Sequence, residues 1–559
     1  MKKKISFLLL SFLFCLYILD IYTIIHVGGG IGTPLSEKKH IQNLSPAVIA
    51  LYFIILSLSF LFNKKIFKTI LIIFSIPISI INTIIVWYLL FYGSLIDSNI
   101  MGTITNTNLV ETMEFISFVF NYKMIIALLT ITIPFILIYF MQPFKIQGKT
   151  KIIVLSILLL TSFIIILLTH NQRWVIREIA PAKVYNTYVI TQEDKKKFLQ
   201  LLKEADKKAL VFDNITNKLT KNEKQTFVFV ISESQNKLHF SCYGYTNKTT
   251  PFLDSIKDEL YIFNNIHSPS VYTNSSVEKM ITFADNYNNL QGYEAGDIIR
   301  LFQNAGFRTY WLSNQFFLGP HESLYSAIAY RADEAIFLNQ ISGFFLETKN
   351  HDNALLEPFK NALNDDYNKK FIVFHLMGSH APFEARYPKG FGSFDYNLGI
   401  KDVTGSISKQ KQIATYDNSI EYTDYLLKDI ITLLEQENNE SFLLFLSDHG
   451  VDVYDTYPDI ELPRSHIKPS PSMIEIPFIL WASNKYKNNY KDVISRVKLS
   501  LNKHYQTDRV IHTIMDLSRI HHNKYIDSDN ILSNNFKYKD SKIENTIIDE
   551  NYLNKFKSK

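Results

Sequence analysis

The sequence predicts an N-terminal bundle of five transmembrane helices, residues 1–170, followed by a large α/β domain with a mostly parallel central sheet. Two observations predict it. Nearly all the long apolar runs fall before about residue 170, and beyond that point short apolar strands alternate with helical stretches. A chain of 559 residues, 47% of them hydrophobic, has room for more than one domain. The formal net charge of +5 is too mild an excess of Lys and Arg to mark a nucleic-acid-binding face.

The apolar runs are 5–27, 46–62, 67–93, 124–141 and 152–169. Each is near the ~20 residues a helix needs to cross a bilayer, with 46–62 at the short end. The first begins MKKK like a signal peptide. Its apolar stretch is long, however, and no small-residue cleavage site precedes GGGIGTPLSEKK, so a retained anchor is expected. Lys2, Lys3 and Lys4 precede the first run, Lys64, Lys65 and Lys68 separate the second from the third, and Lys145, Lys149 and Lys151 the fourth from the fifth. The alternate loops hold only Lys38 and Lys39, then a stretch from 95 to 122 without Lys or Arg. The positive-inside rule makes the N-terminus cytoplasmic, and five crossings place everything after residue 170 outside.

Residues 171–222 read as a connector. Phe198, Leu199, Leu201, Leu202 and Ala205 lie at helical spacing among lysines, which fits an amphipathic helix on the membrane face or a plain surface helix. From 223 to 525 the apolar segments FVFVIS (227–232), TYWLS (309–313), FIVFHLM (371–377), FLLFLS (442–447) and PFILW (477–481) predict strands. GDIIRLFQNAGF (296–307) and the stretch 412–437 predict helices between them. Short, continuously apolar strands interleaved with helices indicate a parallel sheet covered on both faces. The last segment, 526–559, reads as a polar C-terminal tail. Cys15 lies in a span and Cys242 in the outer domain, so no disulfide forms within that domain.

Sites on such sheets lie outside the carboxyl ends of the strands. Glu233 follows the first strand, His380 the central one, and Asp448 and His449 the next. Each alone is compatible with an ordinary polar turn. Together, one Glu, one Asp and two His form an oxygen and nitrogen donor set that suits zinc. In VYTNSSVEKMITFAD, Val277, Met280, Ile281 and Ala284 have helical spacing, so a helix starts near Thr273 or Ser275. A hydroxyl there is either an N-cap or a nucleophile at the positive end of the helix dipole.

The ordered motifs resemble the bacterial membrane phosphoethanolamine transferases of the alkaline phosphatase and sulfatase superfamily. They are ESQNKLHFSCYGYTNKTTPFLD (233–254), VYTNSSVEKMITFAD (271–285), HLMGSHAPFEARYP (375–388), SDHG (447–450), IPFILW (476–481) and VIHTIMDL (510–517). TNTNLVETMEF (105–115) resembles an element of the family's second outer loop, and the five preceding spans match its layout. The resemblance implies an alkaline phosphatase/sulfatase-like fold and a bacterial inner-membrane enzyme whose catalytic domain, 223–525, is periplasmic. It implies zinc bound by Glu233, Thr273, Asp448 and His449, with Thr273 as nucleophile and Ser275 and Ser276 as fallbacks. His380 and His466 are implied to meet the phosphoryl group or a second zinc. Asn108 and Glu111 are candidates for the donor's ammonium or glycerol, or are plain loop residues. The implied reaction moves phosphoethanolamine from phosphatidylethanolamine to lipid A, a lipopolysaccharide core sugar or another glycan or protein acceptor.

The sequence departs from the family where Gln235, Asn236 and Lys237 stand in place of an Arg, and where Val451 rather than an acid follows SDHG. A lysine expected between nucleophile and central strand is replaced by a region holding Asn314, Gln315 and His321. Three alternatives remain: a phosphoglycerol transferase of the same superfamily, a non-catalytic lipid-binding relative, and a soluble-type sulfatase. The last is disfavoured because Cys242 lacks a formylglycine-site context.

Overall fold

The computed structural model describes residues 7–18, 34–92, 122–142, 152–161 except 159, isolated positions between 185 and 196, 215–217, 223–288, 290–317, 323–342, 345–346, 350–395, 407–456, 468–544 and 546–557. It divides into two compact units, an N-terminal helical one and a C-terminal α/β one.

In the helical unit, α1 spans Pro34–Leu61, α2 Lys64–Tyr92, α3 Tyr122–Thr130 and α4 Ile133–Phe140. Asn63 starts α2, its Oδ1 accepting from the Ile66 N–H at 2.9 Å. The expected single run 124–141 is broken between α3 and α4, because Pro134 has no N–H to continue the ladder of hydrogen bonds. Phe14, Tyr17, Ile55, Phe67, Leu71 and Ile138 are buried together. The polar groups among them find partners inside: Asn82 Nδ2 donates to the Tyr17 carbonyl at 2.8 Å, and the Tyr17 hydroxyl to that of Thr130 at 2.9 Å. Ile73 and Leu129 are by contrast mostly exposed, so these helices are apolar all round. Among the described residues one helix, Lys64–Trp87, is long and apolar enough to cross a membrane, and Phe7–Ile18, Val48–Leu61 and Ile125–Phe140, the last across the break between α3 and α4, are shorter apolar helical stretches.

The α/β unit is built on an eight-stranded sheet. Its strands are β1 (Gln225–Ser232), β2 (Leu260–Ile262), β3 (Arg308–Phe317), β4 (Glu334–Ser342), β5 (Phe345–Leu346), β6 (Lys369–His375), β7 (Glu440–Ser447) and β8 (Phe478–Ala482). The spatial order is β2-β8-β7-β1-β6-β3-β4-β5. The five strands β7, β1, β6, β3 and β4 run parallel, while β8, β2 and β5 join antiparallel at the margins. The segment 477–481 is therefore a strand of the sheet, but an antiparallel one. Strand β4 was not expected from the sequence.

Alternation sorts the strand residues onto two faces, as a sheet covered on both sides requires. Phe227, Phe229, Ile231, Phe371 and Val373 pack on one face with Val277, Met280 and Ile281 of helix α5 (Thr273–Ile281). Val228, Val230, Ile372 and Phe374 pack on the other with Ile420, Leu427 and Ile431 of helix α6 (Ile407–Gln436). The predicted helix 296–307 forms over Ile298–Asn304. The expected polar tail is instead folded: β9 (Ser541–Ile543) and β10 (Thr546–Ile548) make an antiparallel hairpin, followed by α7 (Glu550–Lys557). Its charged residues face outward while Ile543 and Ile548 are buried.

Candidate metal centre

Parallel register builds the centre of the site. Ser232 on β1 pairs with Ser447 on β7, so Glu233 and Asp448, the next residue on each strand, leave the sheet side by side. The Asp448 N–H donates to the Ser232 carbonyl at 2.9 Å and continues the ladder past the strand ends. Ser234 then turns the chain in a left-handed conformation, φ +61°, sparsely populated for a residue with a side chain. The turn uses all its polar groups. Its N–H donates to Asp448 Oδ1 at 2.9 Å, its hydroxyl to Glu233 Oε1 at 2.7 Å, and its carbonyl accepts from Tyr416 at 2.9 Å.

Two glycines permit close passages around this turn. At Gly378, φ +51°, a Cβ would meet the Glu233 backbone nitrogen at 2.7 Å. At Gly450 a Cβ would lie 2.2 Å from the Ser472 carbonyl oxygen. SDHG thus ends in glycine because a neighbouring segment crosses directly against it. Ser447 locks the same corner, accepting from the Gln235 N–H and donating to the His449 carbonyl, both at 2.8 Å.

Thr273 is the first residue of α5, and Tyr272 precedes it without a side-chain cap. Its hydroxyl donates instead to Glu233, 3.1 Å from Oε1 and 3.0 Å from Oε2, and lies 3.3 Å from His449 Nε2. Ser276, a fallback for this position, donates its hydroxyl to the Ser270 carbonyl at 3.1 Å. Glu233, Asp448 and His449 offer ligand atoms within 4.8 Å of one another, and all three are buried.

A bound cation fits this set. Asp448 Oδ2 is buried, with no hydrogen-bond partner among the described residues. Burial first, and the charge of Glu233 second, push the Asp448 carboxyl well above the ordinary carboxylate range. Two adjacent buried carboxylates need a positive charge between them. His449 Nδ1 lies 3.0 Å from the Gly450 carbonyl, which holds the ring so that Nε2 faces the acids, 3.4 Å from Glu233 Oε1 and 3.2 Å from Asp448 Oδ2. Oxygen and imidazole donors with a hydroxyl alongside are a zinc-type set.

Of the other expected site residues, His380 stands on the loop beyond β6 with Nδ1 2.9 Å from the Ala381 carbonyl. Asn108, Glu111 and His466 lie outside the described residues. Two residues that sequence reasoning gave no role stand at the site. Gln315, at the carboxyl end of β3, directs Nε2 to the Leu376 carbonyl at 2.6 Å and to Glu233 Oε2 at 3.4 Å. His375 ends β6, and neither buried ring nitrogen has a hydrogen-bond partner among the described residues. Its ring lies edge-on to Trp311 and Tyr325. Burial pulls its pKa down to about 4, against the charge of Glu233, so it is neutral. The signal for both was position at a strand's carboxyl end. The residues replacing the family's Arg are structural: Gln235 Nε2 donates to Thr423 Oγ1 at 2.7 Å and Asn236 Nδ2 to Asp455 Oδ2 at 3.1 Å.

A buried clamp holds the loops that leave β1 and β7. His239 Nδ1 lies 2.6 Å from Asp417 Oδ1 on α6, and Nε2 lies 2.9 Å from Asp455 Oδ1. Burial opposes its charge, but Asp455 and Asp417 outweigh it and push the pKa up to about 10. Because the folded value exceeds the unfolded 6.5, the clamp's stabilisation is complete below pH 6.5 and is lost as pH rises through 10. Between those limits wild-type melting temperature is expected to fall by roughly 5 °C more than that of His239→Gln. Parallel pH profiles for the two proteins would contradict the clamp.

Comparisons with known proteins agree with this architecture. Residues 225–520 match the family model described as sulfatase, and residues 48–185 match the one described as phosphoethanolamine transferase EptA/EptB. Phosphoethanolamine transferase EptC of Escherichia coli is 30% identical over 56% of this chain and 54% of its own, so the match spans about half the length of that relative. The crystal structure of the C-terminal periplasmic domain of Escherichia coli EptC in complex with zinc superposes with a TM-score of 0.57 at 29% identity, covering 61% of this chain and 96% of that one. Phosphoethanolamine transferase CptA of Salmonella typhimurium is 26% identical over 80% of each chain. The integral membrane phosphoethanolamine transferase EptA of Neisseria meningitidis shares the fold over 93% of this chain and 97% of its own, with a TM-score of 0.62 at 17% identity. With its family model spanning 225–520, more than half of its length, the chain belongs to the sulfatase family.

Proposed function

We propose that the protein is a bacterial inner-membrane phosphoethanolamine transferase, with five crossings, a cytoplasmic N-terminus and the α/β unit in the periplasm. The observation that carries the reading is the Thr273 hydroxyl at the start of α5, held against Glu233 and His449 beside Asp448. Glu233, Thr273, Asp448 and His449 would hold a zinc ion. When bound, zinc supplies the charge that favours an ionised hydroxyl and offsets charge building on phosphoryl oxygens.

The chain's own residues do the rest. Glu233 orients the Thr273 hydroxyl and accepts its hydrogen bond. Thr273 Oγ1 attacks the phosphorus of phosphatidylethanolamine, and the bond from phosphorus to the glycerol oxygen breaks. The proton leaves the threonine and ends on the departing diacylglycerol, and phosphoethanolamine stays on Oγ1. An acceptor hydroxyl or phosphate of lipid A, lipopolysaccharide core or another glycan then displaces Oγ1 in line and returns a proton to it. The phosphoryl oxygens would lie at the N-terminal, positive end of α5, where Thr273 stands. His380 and His466 contact the phosphoryl group or hold a second zinc, and Asn108 and Glu111 receive the donor's ammonium or glycerol.

The test is the intact mass of the full chain after incubation with zinc and either phosphatidylethanolamine or phosphatidylglycerol. A phosphoethanolamine adduct from the first lipid alone is expected. An adduct from phosphatidylglycerol alone would make the protein a phosphoglycerol transferase. No adduct and no released diacylglycerol with either lipid would indicate a relative that binds lipid without catalysis.

A further inference from the structure

We infer that the C-terminal hairpin β9–β10 positions the nucleophile: it fixes the loop ahead of Thr273 relative to the segment that backs Asp448 and His449. The inference rests on the proposed role of Thr273. The loop 268–272 enters α5 without regular secondary structure of its own, so its place depends on what packs against it. Val271 is wholly buried, in a small cluster with Ile543 and Ile548 of the hairpin and with Met473 and Ile474. Tyr272, directly before the nucleophile, packs against the same cluster with Tyr552 and Leu553 of α7.

The other half of the cluster belongs to the metal side. The Met473 carbonyl accepts from the Gly450 N–H at 2.9 Å, and the Ser472 carbonyl is the atom that leaves no room for a side chain at Gly450. The Ser268 N–H donates to the Ile474 carbonyl at 2.8 Å. The two isoleucines therefore meet both walls of the site at once.

Polar contacts set the hairpin's height. Gln506 Nε2 donates to both the Ser268 and Lys542 carbonyls at 3.0 Å, and its Oε1 accepts from the Lys542 N–H at 3.1 Å. Asn286 Nδ2 bridges the Pro269 and Lys542 carbonyls at 3.0 and 2.8 Å. Ser541 Oγ lies 2.8 Å from His267 Nδ1. Two amide side chains thus each join the nucleophile loop to the same hairpin residue. A displacement of about 1 Å at a reacting group costs on the order of 100-fold in rate. The hairpin is placed to prevent one.

The experiment uses the full chain with Ile543→Ala, Ile548→Ala and the conservative Ile543→Val/Ile548→Val pair, each loaded with cobalt in place of zinc. The expected result is full cobalt content with a visible spectrum shifted toward that of Thr273→Ala in either alanine variant, and a wild-type spectrum in the valine pair. With phosphatidylethanolamine, kcat for diacylglycerol release falls roughly 10- to 100-fold in the alanine variants while KM stays within about twofold. A wild-type spectrum in folded, cobalt-loaded alanine variants would overturn the inference. So would loss of cobalt in step with loss of folded protein, which would make the hairpin a general stabiliser. The spectrum decides the point even if wild type releases no diacylglycerol, an outcome that counts against the transferase reading alone.

Discussion

Thr273→Ala is expected to lose phosphoethanolamine transfer by on the order of 10⁴-fold or more, the scale on which removing an activated nucleophile acts. The substitution removes the one hydroxyl that, among the described residues, lies against both Glu233 and His449, and leaves Glu233, Asp448 and His449 in place. Thr273→Ser keeps an oxygen at the first position of α5 and should retain measurable transfer, slowed by the greater freedom of an unbranched side chain. Peptide mapping after reaction with the lipid is the check. An adduct on Ser275 in Thr273→Ala at the wild-type rate would move the nucleophile two residues along the helix.

Asp448→Asn is expected to abolish both zinc binding and transfer, and to change the sign of its effect on stability with metal. Losing even an outer hydrogen-bond partner of a ligand costs about 10–100-fold in metal affinity, so losing a ligand costs more. Without metal the argument reverses. Asp448 is wholly buried beside Glu233, and both burial and that neighbour penalise its charge. The amide keeps the side chain's shape, and its oxygen can still accept from Ser234 N–H and His449 N–H, at 2.9 and 2.7 Å in the wild type. In chelator the variant should therefore melt above wild type, and in excess zinc below it. Metal analysis and two melting curves decide the matter. Full zinc occupancy in Asp448→Asn would remove Asp448 from the ligand set.

Much of this was legible in the sequence, and the misses have physical causes. Strands β1, β6 and β7 are buried on both faces and read as unbroken apolar runs, so their ends pointed to Glu233, Asp448 and His449. Strand β4, EAIFLNQIS, lies toward the margin of the sheet and mixes an acid and two amides into its run, which hides it. The strand predicted over FIVFHLM runs to 377, two residues past its end at His375, and points to His380 beyond it as the site residue, because a histidine within an apolar run looks like core until its ring nitrogens are seen without hydrogen-bond partners among the described residues. Gln315 stood in a stretch already marked as unusual, but an amide carries no metal-ligand signature. The hairpin β9–β10 was hidden by composition, since SKIENTIIDE averages as polar although Ile543 and Ile548 are fully enclosed. Helix α1 begins at Pro34, well before its apolar run, because its first turns are polar and a hydropathy window does not register them.

The pairing of Ser232 with Ser447 has a consequence for how the molecule comes into being. The two carboxylates are neighbours in space although more than two hundred residues of chain lie between them. Such a contact closes a very long loop, so it forms late relative to local helices and turns. Until β7 docks beside β1, Glu233 and Asp448 are separate acids in water with no shared cation. The binding energy of an ion held between them, as proposed, would therefore accrue only to chains whose central strands have already found their order, so the cofactor would select for completed topology.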